Sequence, residues 1–387
     1  MKNIVATFFL FLVAFDPQVP LLPNGVGFTF VVFVVLFIPV VLKIVNKKSL
    51  FYVYQSKPFL VLFLLCSFLI MLRVMVNQGE GVEFSLSLLK AFFVFVSIIF
   101  VFILFFEDGL GARFIKMLIF IYVLNALINF FAGTYPAVFE FLNIFKSKSV
   151  SANLGSNPYR SSFISGSGYY SIGTAYGLIV LLLAFYIVRN RAVALFIPLH
   201  LLIISIAGFV SARTSFFAIA PALFYIFKSR MLYLIYTSMV GVLMMYFLFD
   251  LPQFQPYRFW LLSFFELGND SSGGYLIEQM YFWPGMNVFL FGKGFVNDGS
   301  FTYTDAGYMQ DVIFGGVFFL LLKMAFLGVF VVSLFARYPL FTVIFSFAVL
   351  VFHFKGLFLY NNAQGMAAFY FSYYYLISTK RLNSLKG

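Results

Sequence analysis

Residues 291–316 read FGKGFVNDGSFTYTDAGYMQDVIFGG, a polar and glycine-rich stretch in a chain made largely of apolar segments. Three acids lie within it, Asp298, Asp305 and Asp311, and the sequence then continues directly into another apolar segment. From about residue 250 to residue 307 the chain has no clear span, which is far longer than a simple connector needs. Polar loops that enter a helix often carry chemistry, although their acids can also be merely solvated. We predict that the functional site lies around this loop.

The composition is typical of a membrane protein. Apolar residues make up 63% of the chain, charged residues only 10%, and the mean hydropathy is +1.01. A single cysteine, Cys66, excludes a disulfide framework, and no repeated His, Asp or Glu spacing suggests a metal site, so we expect neither metal nor cofactor. The net charge of +12 falls mostly in short loops that set orientation, so nucleic acid is not an expected partner.

Windows of about 20 residues predict an all-α integral membrane protein with about 12 transmembrane helices in a single domain, residues 1–387. The predicted spans are residues 3–15, 26–45, 58–76, 84–106, 114–132, 168–188, 192–210, 214–227, 231–249, 307–335, 338–352 and 363–379. Basic residues recur in every second loop, which predicts cytoplasmic N- and C-termini. The first span starts like a signal peptide but lacks a small-residue cleavage site, so we expect it to be retained.

Two predicted outer loops are long. Residues 133–167 form a basic periplasmic loop, and residues 250–306 form an acidic one. Within the second, YRFWLLSFFEL (residues 257–267) and YLIEQMYFW (residues 275–283) are too apolar for a solvated loop and too short to span the bilayer. We expect both to lie on the outer leaflet as interfacial helices.

Several cations are predicted at the outer face, where the cytoplasmic bias of basic residues does not account for them. They are Arg73, Lys90, Arg160, Arg213, Arg258, Lys293 and Lys355. Arginine presents paired donors that suit phosphate oxygens, so together these residues indicate a site for anionic groups. The alternatives are that Arg213 snorkels at a helix end, and that Glu80 and Glu83 simply pair with Arg73 and Lys90.

The sequence carries no nucleotide-binding motif, so a reaction at the outer face requires a donor that is already activated. For sugars, that donor is a saccharide linked to a polyprenyl diphosphate, and its diphosphate matches the predicted cations. His353 lies at the outer end of its span, close to Lys355 and Asn361, where it is placed to orient a sugar or a phosphate. Lys323 is the clearest charge in the middle of a predicted span.

Three short motifs are similar to the O-antigen polymerase and ligase superfamily of bacterial inner membranes. They are SARTSFF (residues 211–217), Arg258 with Trp260, and LFGKGF (residues 290–295) followed by TDAGYMQDVIFGG (residues 304–316). The resemblance implies a GT-C-like glycosyltransferase with a basic and an acidic periplasmic loop that each contribute an arginine. Here these would be Arg160 and Arg258, although neither begins the pattern of an arginine, ten residues and a glycine that is described for some members.

We therefore predict an O-antigen polymerase, a glycosyltransferase of lipopolysaccharide biosynthesis that joins undecaprenyl-diphosphate-linked oligosaccharide repeats at the periplasmic face of a Gram-negative inner membrane. Asp305, or otherwise Glu278, is the predicted base for the acceptor hydroxyl, and Arg213 and Arg258 hold the departing diphosphate. Asp305 has the alternative role of an N-cap for the next helix. The predicted substrate-binding residues are Arg73, Lys90, Arg160, Lys293, Tyr308, His353 and Lys355.

Two other functions fit the same pattern. An O-antigen ligase uses the same donor with a lipid A-core acceptor, and ligases resemble one another in a functional histidine of the large outer loop, which residues 250–306 lack. A lipid-linked oligosaccharide flippase is not an enzyme and places its charges along an inner cavity. The expected partners are the lipid-linked oligosaccharide, the bilayer and, for a polymerase, a protein that regulates chain length.

Overall fold

The computed structural model describes residues 2–19, 26–46, 51–76, 82–106, 110–146, 158–190, 196–255, 280–294 and 304–384. These residues form helices joined by short irregular segments, with one isolated antiparallel bridge between Gln18 and Gly27. The helices are α1 (Lys2–Phe15), α2 (Phe28–Val45), α3 (Phe51–Val76), α4 (Val82–Phe105), α5 (Ala112–Thr134), α6 (Pro136–Asn143), α7 (Pro158–Ser161), α8 (Tyr170–Arg189), α9 (Phe196–Ser211), α10 (Phe216–Asp250), α11 (Met286–Phe291), α12 (Gly307–Leu334), α13 (Pro339–Lys355) and α14 (Ala363–Ser384). Short 3-10 turns cover Arg213–Ser215 and Pro252–Phe254.

Seven helices in the described part of the chain are long and apolar enough to cross a membrane. The protein is therefore an all-α membrane protein, as the composition predicts. The predicted segments all overlap helices of the structure, and two of them correspond to the two parts of α10, which is broken at Arg230. Because several of these helices are short, a total of 12 spans remains a prediction.

The core is centred on α8 and α14, which pack against each other. Every residue of α8 from Ile172 to Ile187 is buried, and α14 buries a nearly continuous stretch from Ala363 to Ile377. Helices that are apolar all round are typical of the centre of a bundle, whereas the outer helices α2 and α3 expose most of their apolar side chains. In a membrane, that exposed apolar surface faces lipid.

The buried polar side chains concentrate at one end of the bundle. At this end α1, α9 and α13 finish and α8, α12 and α14 begin, and their termini are joined by hydrogen bonds. We call it the polar end and define it by Asp16, Ser211, Asp311, His353 and Asn362, all of which are buried. It is the end that the distribution of basic loops predicts to face outward.

Helix α12 is not continuous, because Gly316 interrupts it with φ of 74°. Positive φ is accessible to glycine at low cost, and a side chain at this position would also collide with the Leu290 carbonyl. The segment after α11 docks on the break, where the Lys293 and Gly294 amides donate to the carbonyls of Ile313 and Phe314. The two ends of the quoted stretch, residues 291–294 and 313–316, therefore meet backbone to backbone.

The predicted interfacial helices are only partly within the described residues. The segment 257–267 and the first residues of 275–283 lie outside them. Residues 280–283 are not helical, so the second interfacial helix is wrong over these four residues. Packing explains this, because Tyr281 stacks on Phe354 at the end of α13 with ring centroids 4.5 Å apart. Pro284 also comes directly after these four residues.

Candidate functional site

Three ionisable side chains form a buried cluster at the polar end. Lys323 Nζ lies 2.6 Å from Asp311 Oδ1, and His353 Nε2 lies 2.9 Å from Asp311 Oδ2. All three side chains have no exposed surface. Lys323 also donates to Asn361 Oδ1 at 2.9 Å, and Asn361 donates onward to the Ser87 hydroxyl at 2.6 Å. The cluster therefore joins α4, α12, α13 and the turn before α14.

The hydrogen bonds fix the tautomer of His353. Its Nδ1 accepts from the backbone amides of Phe358 and Leu359, at 3.2 Å and 3.4 Å, so in the neutral ring the proton is on Nε2. Nε2 then donates to Asp311, whose other oxygen accepts from Lys323. An ionised aspartate and a charged lysine balance each other, which is the condition under which charges can be buried.

Asp311 and Lys323 meet only because α12 is broken between them. They are 12 residues apart, which in a straight helix places their Cα atoms about 18 Å apart and on different faces. The two side chains together cannot bridge that distance. The break at Gly316 redirects the first part of the helix, residues 307–315, so that the carboxylate returns to the lysine.

Tyrosine hydroxyls close the end of α13 beside this cluster. Tyr308 packs edge-on against His353, with ring centroids 4.8 Å apart, and donates to the Leu350 carbonyl at 3.1 Å. Tyr281 donates to the Phe354 carbonyl at 2.7 Å, and Tyr170 donates to the carbonyls of Phe352 and Gly356. The last carbonyls of a helix need such donors, so the contacts of Tyr170 and Tyr281 stabilise the end of α13.

Two arginines approach each other elsewhere on the polar end. Arg160 lies on α7 and Arg213 on the 3-10 turn that follows α9, near enough for their charges to interact. The Arg160 guanidinium lies over the ring of Tyr169, 4.7 Å from its centroid. Ser211 Oγ bonds to the carbonyls of both Arg160 and Tyr169, at 3.2 Å and 2.8 Å, which ties the two segments together. Two like charges that are held close together favour an anion between them.

An apolar groove of about 510 Å³ has lining residues that are close to these arginines in the chain. It runs between α5, α9 and the second part of α10, and its walls are almost entirely apolar. At the polar end it is lined by Tyr159, Val210 and Phe254, which pack together. Tyr159 directly precedes Arg160, and Val210 is three residues before Arg213. We call this the donor groove.

Lys90 has a different partner from those that the sequence suggests. Its Nζ lies 3.1 Å from Asp16 Oδ2, and the other oxygen of Asp16 accepts from the amide and hydroxyl of Thr29. Asp16 is fully buried and has φ of 40°, so it is held tightly in an uncommon backbone conformation. Because this contact joins α1, α2 and α4, it accounts for the position of Lys90 structurally. The side chains of Glu80 and Glu83 lie outside the described residues.

Lys146, in the segment 133–167 that is predicted to be a basic outer loop, is buried rather than solvated. Its Nζ donates to the Phe163 carbonyl at 2.8 Å, and burial lowers the pKa of its amine to about 7. Its amine therefore carries less positive charge at neutral pH than that of a solvated lysine.

The remaining predicted residues differ in what the structure shows of them. Asp305 is half-buried, but Ala306 is the N-cap of α12, so the alternative role of Asp305 as that cap is wrong. Lys293 belongs to the segment that docks on the break of α12, and Lys355 is in the last turn of α13. Arg73 lies in the last turn of α3. Arg258, Glu278 and Asp298 lie outside the described residues.

Asp311 and Asn361 have no role that is predicted from the sequence, and Lys323 stands out there only as a charge in the middle of a predicted span. The signal that was available is Lys323 itself, because a charge in the middle of an apolar span requires a buried partner. Within the described residues, no group of three or more His, Cys, Asp or Glu side chains is arranged to hold a metal ion.

Comparisons of the chain with models of protein families, with curated proteins and with solved structures found no match.

Proposed function

We propose that this protein is a glycosyltransferase that joins oligosaccharide repeats carried on a polyprenyl diphosphate, in the manner of an O-antigen polymerase with a GT-C-like fold of about 12 spans. The repeats are supplied at the periplasmic face of the inner membrane and the product remains lipid-linked. The proposal rests on the short motifs in the sequence and on one arrangement in the structure, which is the donor groove with Arg160 and Arg213 close to its polar end.

The donor groove matches the two parts of a lipid diphosphate. Its apolar walls suit an isoprenoid chain, which a polar cavity would not accommodate. Arg160 directly follows Tyr159, which lines the groove, and its guanidinium, like that of Arg213, presents a planar set of donors that matches the oxygens of a diphosphate. An apolar groove with arginines close to its polar end therefore supports a ligand with a long hydrocarbon tail and an anionic head.

In the proposed reaction, the acceptor sugar hydroxyl attacks the anomeric carbon of the donor. The bond from that carbon to the diphosphate oxygen breaks, and the lipid diphosphate leaves. Arg160 and Arg213 stabilise the negative charge that develops on it, together with Arg258 from the acidic loop. Asp305 accepts the proton of the hydroxyl, with Glu278 as the alternative base. Asp305 lies just before α12, whose first part is fixed by the buried cluster.

The buried charges favour this function over a flippase. A flippase needs charges along the path of its substrate, whereas Asp311 and Lys323 are packed into the bundle with no exposed surface. They do not line the donor groove. A ligase with the same donor differs in its acceptor, and the assay that separates the two is whether repeats are added to one another or to lipid A-core.

Binding of undecaprenyl diphosphate to the purified protein in detergent tests the donor groove. Losing one hydrogen-bonded charge costs about 1.5–3 kcal/mol, so Arg160→Ala and Arg213→Ala are each expected to weaken binding about 10- to 100-fold. Arg213→Lys is expected to recover little, because an ammonium lacks the planar pair of donors. Arg337→Ala, which removes an arginine next to Tyr338 at the opposite end, is the matched control. Wild-type affinity in both arginine variants would refute the proposed role.

Orientation is tested separately with cysteine variants of intact spheroplasts, where native Cys66 is buried and does not interfere. Labels at positions 156 and 273 are expected to react from outside, and labels at positions 190 and 386 are not. The reverse pattern would place the arginines on the wrong face of the membrane for this reaction.

A further inference from the structure

A second apolar groove, of about 840 Å³, lies between α1 and α5. Both helices contribute apolar side chains to it, among them Phe8 and Phe11 from α1 and Phe120 and Leu124 from α5. Phe8 and Phe120 are each 57% exposed, so the groove is open along its length rather than enclosed. On α5 it is lined by residues from Arg113 to Ile128, whereas the donor groove is lined by different residues between Ala126 and Phe130.

The groove is charged at one end only. Arg113 and Lys116 line it near the start of α5, and Asn3 lines it near the start of α1. Both helices begin at the end of the bundle opposite to the polar end. Arg113 and Lys116 are exposed, and they are one turn apart on the same helix, so both side chains reach the mouth of the groove.

Ile128 and Ile164 line the groove at the end farther from these cations, and Ile164 is held by Asn125, whose Oδ1 accepts from the Ile164 amide at 2.8 Å. From Lys116 to Ile128 the helix rises about 18 Å, at about 1.5 Å per residue. Half of the roughly 30 Å hydrocarbon core of a bilayer is about 15 Å. The groove is therefore about as deep as one leaflet.

We propose that this groove binds one anionic phospholipid from the leaflet opposite to the donor groove. An acyl chain lies between α1 and α5 up to Ile164, and the phosphate lies between Arg113 and Lys116. Charge selects the lipid, because two cations at the mouth favour a headgroup with net negative charge over a zwitterionic one. The position of the cations selects the leaflet, because Arg113 and Lys116 lie at the start of α5, at the end of the bundle opposite to the polar end.

This site does not depend on the proposed transferase reaction. The donor groove lies close to arginines of the polar end, whereas this groove ends at cations of the opposite end, and the two grooves have no lining residue in common. We call it the phospholipid groove. Its test is therefore lipid retention and not polymer formation.

The experiment measures retained lipid by native mass spectrometry of the purified full-length protein, after incubation with phosphatidylglycerol or phosphatidylcholine of identical acyl chains. The wild type is expected to retain phosphatidylglycerol in preference. The double variant Arg113→Ala/Lys116→Ala is expected to bind it about 30-fold more weakly, from about 1 kcal/mol per cation. Lys57→Ala/Lys228→Ala is the matched control, because it removes two exposed cations that do not line the groove and should change nothing.

A groove-filling variant separates a bound chain from attraction to the surface. Leu124→Trp leaves both cations in place, occupies the groove and is expected to abolish the retention of phosphatidylglycerol. Leu124 is 38% exposed, so the larger side chain is accommodated without repacking the core, and the elution profile on size exclusion checks its folding. Equal retention of the two lipids by the wild type, equal losses in the control, or wild-type retention by Leu124→Trp would each overturn the proposal.

Discussion

The pair formed by Lys323 and Asp311 gives the sharpest test of the fold around the site. At their separation of 2.6 Å, Coulomb's law gives an attraction of about 6 kcal/mol at an effective dielectric constant of about 20. The cost of removing both charges from water offsets most of this, so the pair adds little net stability. Removing one partner leaves the other charge buried and unpaired, which costs about 3–5 kcal/mol.

We therefore expect Lys323→Met and Asp311→Asn each to lower the free energy of unfolding by about 3–5 kcal/mol. The Asn side chain keeps an oxygen that accepts from His353 Nε2, so Asp311→Asn removes the negative charge but keeps this hydrogen bond. The double variant removes both charges and is expected to be more stable than either single variant, with a coupling energy of about 2–3 kcal/mol. Denaturant unfolding of the purified protein in one detergent measures all four species.

Lys57→Met is the control, since it removes an exposed lysine and is expected to change the free energy of unfolding by no more than about 0.5 kcal/mol. Additive losses in the double variant would refute the reasoning, because they would mean that the two charges do not stabilise each other.

Three further predictions concern the break, the basic loop and the base. Gly316→Ala is expected to destabilise the protein by at least about 1–2 kcal/mol in the same denaturant assay, because φ is 74° and the new methyl group meets the Leu290 carbonyl. The control Gly328→Ala, in open space on the same helix, should be neutral or stabilising by up to about 1 kcal/mol. Equal effects of the two substitutions would contradict the break at Gly316. Burial lowers the pKa of Lys146 from its ordinary value of 10.5 to about 7 in the folded protein, so between these two values the unfolded state binds more protons. The free energy of unfolding should therefore rise with pH in this range, by up to about 1.4 kcal/mol per pH unit. Lys146→Met should flatten this pH dependence, and an unchanged slope would show that the amine is not responsible. Asp305→Asn is expected to reduce chain extension about 100- to 10,000-fold while the lipid-linked repeat still binds, as in the loss of a general base; normal product lengths would move that role to Glu278.

The positions of the helices were predictable because apolar segments of the right length have few alternatives in a membrane. The sequence also predicts that Arg160 and Arg213 lie at the same, outer end of the helices. That they lie close together depends on contacts between α7 and α9, which the spacing of residues in the sequence does not reveal.

The buried cluster was not predictable as a unit. Lys323 requires a buried partner, but in a straight helix Asp311, 12 residues earlier, would be too far away and on a different face. Only the break at Gly316, with its positive φ, brings the two side chains together. His353 lies in the last turn of its helix, yet its partner Asp311 comes from another helix. Lys90 illustrates the same limit, because nearby glutamates suggest themselves in the sequence while the fold supplies Asp16.

The most direct test of the proposed function is synthesis by the purified protein alone. The wild type is reconstituted in liposomes with lipid-diphosphate-linked repeats as both donor and acceptor, and the products are separated by size. We expect a ladder of products that differ by one repeat, absent in Arg213→Ala and retained in Arg337→Ala. The opposite result is a wild-type protein that binds the lipid-linked repeat but leaves it as single units, in liposomes where the wild type and Arg337→Ala are both folded. That result would contradict the polymerase function.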